Sequence, residues 1–317
     1  MLFRSVRSGQ FSGQLRYHRE AEQAGWTGHV QLNEAEMPIP GLADPLAVAS
    51  ARGQIDGARV ALDHIDAQAG KVAFTGSYSY EPGAARPHHL RVHAGTLDAA
   101  DLEAELRPTL SRSSGIIARA LGRTSVPGWL EQREVDGNIQ VDDFLLAGAH
   151  LENVHARLLW DVTRVELEGL QAKLDRAVIA GSLSVNLRGA RPIYKLTGSV
   201  KGLNWQSGKL DGQGTLETSG AGLQLLTNLT SEGVFTAGGL DFGGLNGRSL
   251  SGSYSMAWSA IAPRLRLTGL TLRTEDDTYT GRGATQDDGR MLLVLTSGAK
   301  ELRVSGPLDK LRVEEPH

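Results

Sequence analysis

Cysteine is absent from the 317 residues, which excludes a disulfide framework and a thiolate metal site. Aromatic residues are scarce at 5%, so the 40% hydrophobic content is carried mostly by Leu, Val, Ile and Ala. No apolar run reaches the ~18 residues that read as a membrane-spanning helix. The N-terminal stretch MLFRSVRSGQFSGQLRYHRE lacks the apolar segment of a secretory signal. Read as written, such a chain stays in the cytoplasm; read as the C-terminal part of a longer protein, its targeting segment lies upstream. The net charge is only −3, so no large electrostatic field points to nucleic acid, for which a clustered basic surface would be expected, and no nucleic-acid partner is expected. The 39 glycines follow no three-residue period, which excludes collagen.

Motifs for catalysis are missing as well. There is no Gly-x-Ser-x-Gly elbow and no cysteine nucleophile. The segment GKLDGQG at 208–214 resembles a phosphate loop in composition only. A phosphate loop needs its lysine followed by Ser or Thr at a helix start, and here Lys209 precedes Leu210 within a strand pattern. His88, His89 and His93 are close in sequence and imidazole is a common metal ligand, yet on a strand His88 points away from the other two. The acidic pairs Asp142–Asp143, Asp276–Asp277 and Asp287–Asp288 match no calcium loop and read as solvated hairpin tips. No enzyme and no cofactor is expected from these residues.

What the chain does contain is alternation. In 176–200, RAVIAGSLSVNLRGARPIYKLTGSV, the residues Ile179, Gly181, Leu183, Val185 and Leu187 sit two apart, with Ala180, Ser182, Ser184 and Asn186 between them. After a short turn the pattern resumes with Tyr194, Leu196, Gly198 and Val200. Successive side chains of a strand point to opposite faces, so this is two strands with one apolar and one polar face. The same unit recurs every 8 to 14 residues or so, close to the spacing of all-β meanders, sandwiches and barrels. Asp56–Gly57 between apolar runs predicts a hairpin, and MPIPGLADP at 37–45 a loop. With no long crossover helix evident, antiparallel neighbours are expected throughout.

The departure from period two lies at 98–122. Asp98 can cap a helix, and Leu102, Leu106 and Leu110, continued by Ile117 and Leu121, form one stripe. Pro108 predicts a kink or a second helix with the proline in its first turn, and Gly122 a terminus. The stripe either seals an end of the β structure or lies on a membrane surface; packing against the sheet is the ordinary outcome. Three segments follow: an N-terminal β segment 1–97, a helical segment and connector 98–134, and a C-terminal β region 135–317. The fold expected is mainly β, a long, curved antiparallel sheet or open β-groove built from repeated strands. Periodicity alone leaves open whether the apolar faces close on each other or line a trough.

The run VDGNIQVDDFLLAGAHLENVHARLLWD from Val135, then VELEGLQAKLDRAVIAGSLSVNLRGARPIYKLTGSV, GKLDGQGTLETSG and SEGVFTAGGLDF resemble the C-terminal region of AsmA-like proteins. The segment LDAADLEAELRPTL resembles the helical part of that family, and TYTGRGATQDDGRMLLVLTSGAKELRVSG its terminal hairpin. The resemblance runs from about residue 51 to 311 and rests on spacings of glycine and leucine. It implies a periplasmic protein held at the bacterial inner membrane by an N-terminal helix. It also implies kinship with bridge-like lipid-transfer proteins, whose repeated β units hold acyl chains, and a part in phospholipid traffic and outer-membrane assembly. This chain departs from the family in showing no N-terminal anchor, as a C-terminal fragment or a short separate member would. The implied function is a non-enzymatic lipid-binding groove with phospholipid acyl chains as partners. Leu183, Val185, Leu187, Leu196, Leu216, Tyr254 and Met256 are the expected lining. The alternative is an interaction module that supports outer-membrane protein assembly, with envelope proteins pairing at exposed strand edges.

Overall fold

The computed structural model describes residues 8–20, 23–110, 130, 133–259 and 262–314. Strands β1 (Ser8–Glu20), β2 (Gln23–Met37), β3 (Leu46–Asp56), β4 (Arg59–Ala69), β5 (Val72–Tyr80) and β6 (His88–Asp98) lead into helix α1 (Ala99–Leu110). They are followed by β7 (Glu134–Leu146), β8 (Ala149–Asp161), β9 (Arg164–Leu174), β10 (Ala177–Asn186), β11 (Ile193–Trp205) and β12 (Gly208–Ser219). A short helix α2 (Leu223–Thr227) precedes β13 (Thr230–Asp241), β14 (Asn246–Ser259) and β15 (Ala262–Arg273). The chain then forms β16 (Thr278–Thr285), β17 (Met291–Ser297), β18 (Lys300–Gly306) and β19 (Arg312–Val313). These strands make one long, open, mainly antiparallel sheet of 19 strands. The Asp-Gly hairpin is present: Asp56 pairs with Arg59, and Gly57 takes the left-handed φ of 60° that the tight turn requires.

One joint differs from the expectation of antiparallel neighbours. β6 and β7 run parallel, with His88 opposite Val135, Val92 opposite Ile139 and Asp98 opposite Leu145. A parallel pair needs a connection that returns along the whole strand. Residues 99–133 are that return, so the helical segment is a crossover between strands.

The helix begins where its sequence predicts. The Ala100 N–H donates to Asp98 Oδ1 at 2.8 Å, a side-chain cap. Its leucine stripe is a correction: Leu102, Leu106 and Leu110 are half-buried, while the buried positions are Glu105 and Thr109. Glu105 O accepts the Ala43 N–H at 2.8 Å, and Glu105 Oε2 the Asp44 N–H at 3.3 Å. Thr109 Oγ1 donates to Gly41 O at 2.8 Å. The helix thus holds the proline loop 38–45 by hydrogen bonds from its i, i+4 face. Pro108 does not open a second helix; it sits inside the last turn of α1. Ile117, Leu121 and Gly122 lie outside the described residues.

The chain divides into two compact units, Met1–Ala172 with Ser184–Pro192, and Lys173–Leu183 with Ile193–His317. The first has a core of small side chains around Leu32, Ala35, Met37, Val48, Ala51 and Ala67. The second has a larger one, in which Phe242, Leu250, Leu272, Leu293, Leu295 and Val304 are 0% exposed. Burying each such leucine contributes about 1.5–3 kcal/mol. Beside that core the β13–β14 turn meets the last strand: the Val313 N–H donates to Phe242 O at 2.9 Å. Trp205 Nε1 also donates to Leu308 O, at 2.7 Å, tying the β11–β12 turn to the C-terminal loop.

Candidate functional site

In the second unit, strand register lines up four apolar residues and one serine at right angles to the strands. Leu196 lies opposite Leu216, Leu216 opposite Ser231, Ser231 opposite Met256, and Met256 opposite Leu265. All five are half-buried. With neighbouring strands ~4.8 Å apart, the row is about 19 Å long.

The adjacent row is made of glycine. Gly198 lies opposite Gly214, Gly214 opposite Gly233, and Gly233 opposite Tyr254. Gly181 continues it on β10, where an added β-carbon would stand 2.9 Å from Gly198 Cα. Strand alternation then sets Leu183 on the same face, and Leu183 is half-buried. These glycines are not spare space. A β-carbon at Gly214 would meet Glu232 O at 2.4 Å and the Tyr254 hydroxyl at 2.5 Å; one at Gly233 would meet Gln213 O at 2.1 Å. Tyr254 therefore lies across the bare backbone of two neighbouring strands, and Ser231 Oγ donates to its hydroxyl at 3.3 Å. Beyond the glycines the face closes. Leu203, Leu210, Ala237, Leu250 and Leu272 follow one another across β11 to β15, and exposure falls from half-buried to zero.

Of the expected lining residues, Leu196, Leu216 and Met256 share one row and Tyr254 the next. In the first unit Val185 is half-buried, whereas Leu187 is 2% exposed and its N–H donates to Thr163 O at 2.7 Å. Leu265 and Ser231 belong to the row without having been singled out by the sequence. Leu265 was readable from its own alternation; Ser231 was not, because its place follows from pairing alone.

The first unit carries polar groups on its apolar face. Tyr80 lies opposite His88, His88 opposite Val135, and Val135 opposite Trp160. The Tyr78 hydroxyl is 2.8 Å from His88 Nδ1. The Tyr80 and His88 rings are 5.2 Å apart, and the Arg133 guanidinium lies 6.0 Å from the centre of the Trp160 ring. Burial pushes the Tyr78 phenol up to about 12, with Tyr80 adding to the shift and Arg133 opposing it. Burial also lowers His88, helped by the Arg133 charge, and lowers Arg133 itself.

On the opposite face, His89, Arg91, Asp136, Asn138 and Arg157 line a polar hollow of about 440 Å³. Asp136 is held there by two hydrogen bonds from Arg157, at 3.0 and 2.7 Å, which keep its carboxyl below the usual range. His93 Nε2 lies 3.0 Å from Asp142 Oδ2. Asp142 and Asp143 are thus inside β7 rather than at a hairpin tip, whereas Asp287 and Asp288 do sit in a turn. Among the described residues, no three His, Asp or Glu side chains come together as a metal set, and no helix is long and apolar enough to cross a membrane.

No family model, curated protein or solved structure matches the chain.

Proposed function

We propose that the half-open apolar rows hold lipid acyl chains. The protein is then a non-enzymatic lipid carrier, with a role in phospholipid transfer or outer-membrane maintenance at the periplasmic side of the inner membrane. The observation that carries this reading is the row Leu196–Leu216–Ser231–Met256–Leu265, half-buried along its whole length beside a floor of glycine. A largely apolar surface left partly exposed marks a binding surface. Its length of about 19 Å exceeds the ~15 Å that one acyl layer occupies in a ~30 Å bilayer core. The buried core of the second unit supports a holding role too, since Tyr254 and Leu265 pack against it. The sequence resemblance to AsmA-like proteins adds the envelope setting and the phospholipid class.

The test is mass spectrometry of lipids extracted from protein purified without detergent. Stoichiometric phospholipid is expected, with loss in Leu216→Asp and Val185→Asp and retention in Ser182→Asp, which alters an exposed polar position. Folded Leu216→Asp protein that still carries lipid at the wild-type level would sink the reading.

A second reading has its own observation. β1 pairs with β2, and every β1 residue whose side chain is described is exposed, Phe11 at 55% and Tyr17 at 52% among them. Strand surface exposed in this way can receive a partner protein. A wild-type protein that is soluble and free of lipid would shift the weight to this reading.

A further inference from the structure

We propose that the polar hollow across β4–β8 of the first unit binds a small hydroxylated anion, a sugar acid or a sugar phosphate, with Arg91 as its anchor. The hollow lies on the face opposite the apolar one, and the site does not rest on the lipid reading.

Alternation builds it. Ser77 lies opposite Arg91, Arg91 opposite Asn138 and Asn138 opposite Arg157, one residue from each of β5, β6, β7 and β8. In the next row of the same face Ser79 lies opposite His89, and His89 opposite Asp136. With strands ~4.8 Å apart, Arg91 and Arg157 leave the backbone about 10 Å from each other, with Asn138 between them. Asp63 of β4 adds a carboxylate to the lining. The volume of about 440 Å³ falls within the roughly 300–1,000 Å³ of small-molecule sites, which are ordinarily apolar. Here the lining is polar, so the ligand that fits is polar as well.

The neighbouring ion pairs are closed. Arg86 donates twice to Asp161, at 2.9 and 2.8 Å, and His93 meets Asp142 at 3.0 Å. Both oxygens of Asp136 are taken by Arg157, which keeps the hydrogens of its Nη1. Arg91 is different. Among the described residues its side chain has no ion pair and no hydrogen bond, and neither have those of Asn138 and His89. An unused guanidinium fork matches the paired oxygens of a carboxylate or phosphate. Asn138, Ser77 and Ser79 can donate and accept, and Asp63 accepts. Hydroxyl groups also do both, so a polyol frame suits this mixed lining, whereas a bare anion meets Asp63 and Asp136 as like charges. Arg91 is exposed, so its ion pair alone contributes little in water, and affinity comes from the hydroxyl contacts added to it.

The experiment is calorimetric titration of the full chain with D-glucuronate and with D-glucose 6-phosphate. D-glucose, which lacks the anion, and acetate and inorganic phosphate, which lack the hydroxyls, are titrated beside them. Saturable binding of glucuronate or glucose 6-phosphate is expected, with a Kd below about 1 mM and at least about tenfold tighter than glucose and the bare anion. Which of the two binds distinguishes a carboxylate from a phosphate ligand. Arg91→Gln should weaken binding by about tenfold, whereas Arg273→Gln, the same charge change at an exposed position in the second unit, should not. Circular dichroism checks folding; if Arg91→Gln is unfolded, Arg91→Lys decides, since it keeps the charge, loses the fork and should bind less tightly than wild type. No saturable binding of either sugar anion overturns the site. So does binding that the folded Arg91 variant leaves unchanged, or acetate or phosphate bound as tightly as its sugar counterpart.

Discussion

At Gly233 the place of a β-carbon is already taken by Gln213 O, 2.1 Å away, and by Gly214 Cα, 2.7 Å away. Backbone cannot yield as a flexible side chain can, so Gly233→Ala is expected to cost about 1–3 kcal/mol in urea denaturation. Gly95 is the control: a β-carbon there meets nothing within 4 Å, and Gly95→Ala should be neutral or slightly stabilising. Two residues also contribute to the pH response. The Tyr78 phenol ionises near 12 in the folded protein against an ordinary 10.0, so the unfolded chain loses its proton first. Stability should therefore fall between about pH 10 and pH 12, and less steeply in Tyr78→Phe. His88 is shifted the other way. Its folded pKa lies below the ordinary 6.5, so the unfolded chain takes up the proton first as pH falls, and stability drops below that pH. His88→Phe should remove that acid-side loss in denaturation series from pH 7 downward.

The element that shows what a sequence can and cannot reveal is α1. Its start was legible, because Asp98 offers a cap that the first helical N–H groups need. Asp98→Ala should cost about 1 kcal/mol. Its buried face was not legible. A leucine stripe predicts burial of Leu102, Leu106 and Leu110, but the helix docks on a loop whose N–H and carbonyl groups need partners, and Glu105 and Thr109 supply them. Glu105→Ala should therefore loosen residues 41–44, seen as faster hydrogen exchange there, at a cost of about 1–3 kcal/mol. The same limit applies to the strands. Alternation located most of them, together with the Asp56–Gly57 turn and the loop after Met37, because face and turn chemistry are local. The direction of the β6–β7 pair is not local. Nor is the difference between Leu216, half-buried, and Leu293, fully buried, since both alternate alike and only their covering differs. The closeness of Arg133 to Tyr78 and His88 was not legible either, because the parallel β6–β7 register brings it there.

For the molecule as a whole, each unit has its own core, and each strand pairs with its neighbours in the chain. Stability in such arrays behaves as a sum of local terms. Leu293→Ala should cost about 2–5 kcal/mol and speed exchange in β15–β18, leaving the amides around Leu32 and Val48 in the first unit unaffected. Leu216→Ala should cost distinctly less, because its side chain is only half removed from water. The parallel joint gives the sheet a chronology. Strands β1–β6, and likewise β7–β19, can zip up from one short connection to the next. Bringing β6 to β7 instead closes residues 99–133, which costs about 2 kcal/mol more in chain entropy than a three-residue turn. Contacts of that separation form slowly. Refolding should then be biphasic, and pulse-labelled exchange should protect His88–Asp98 against Glu134–Leu146 only in the second phase. The seam at β6–β7 is expected to be the last part of the sheet to form.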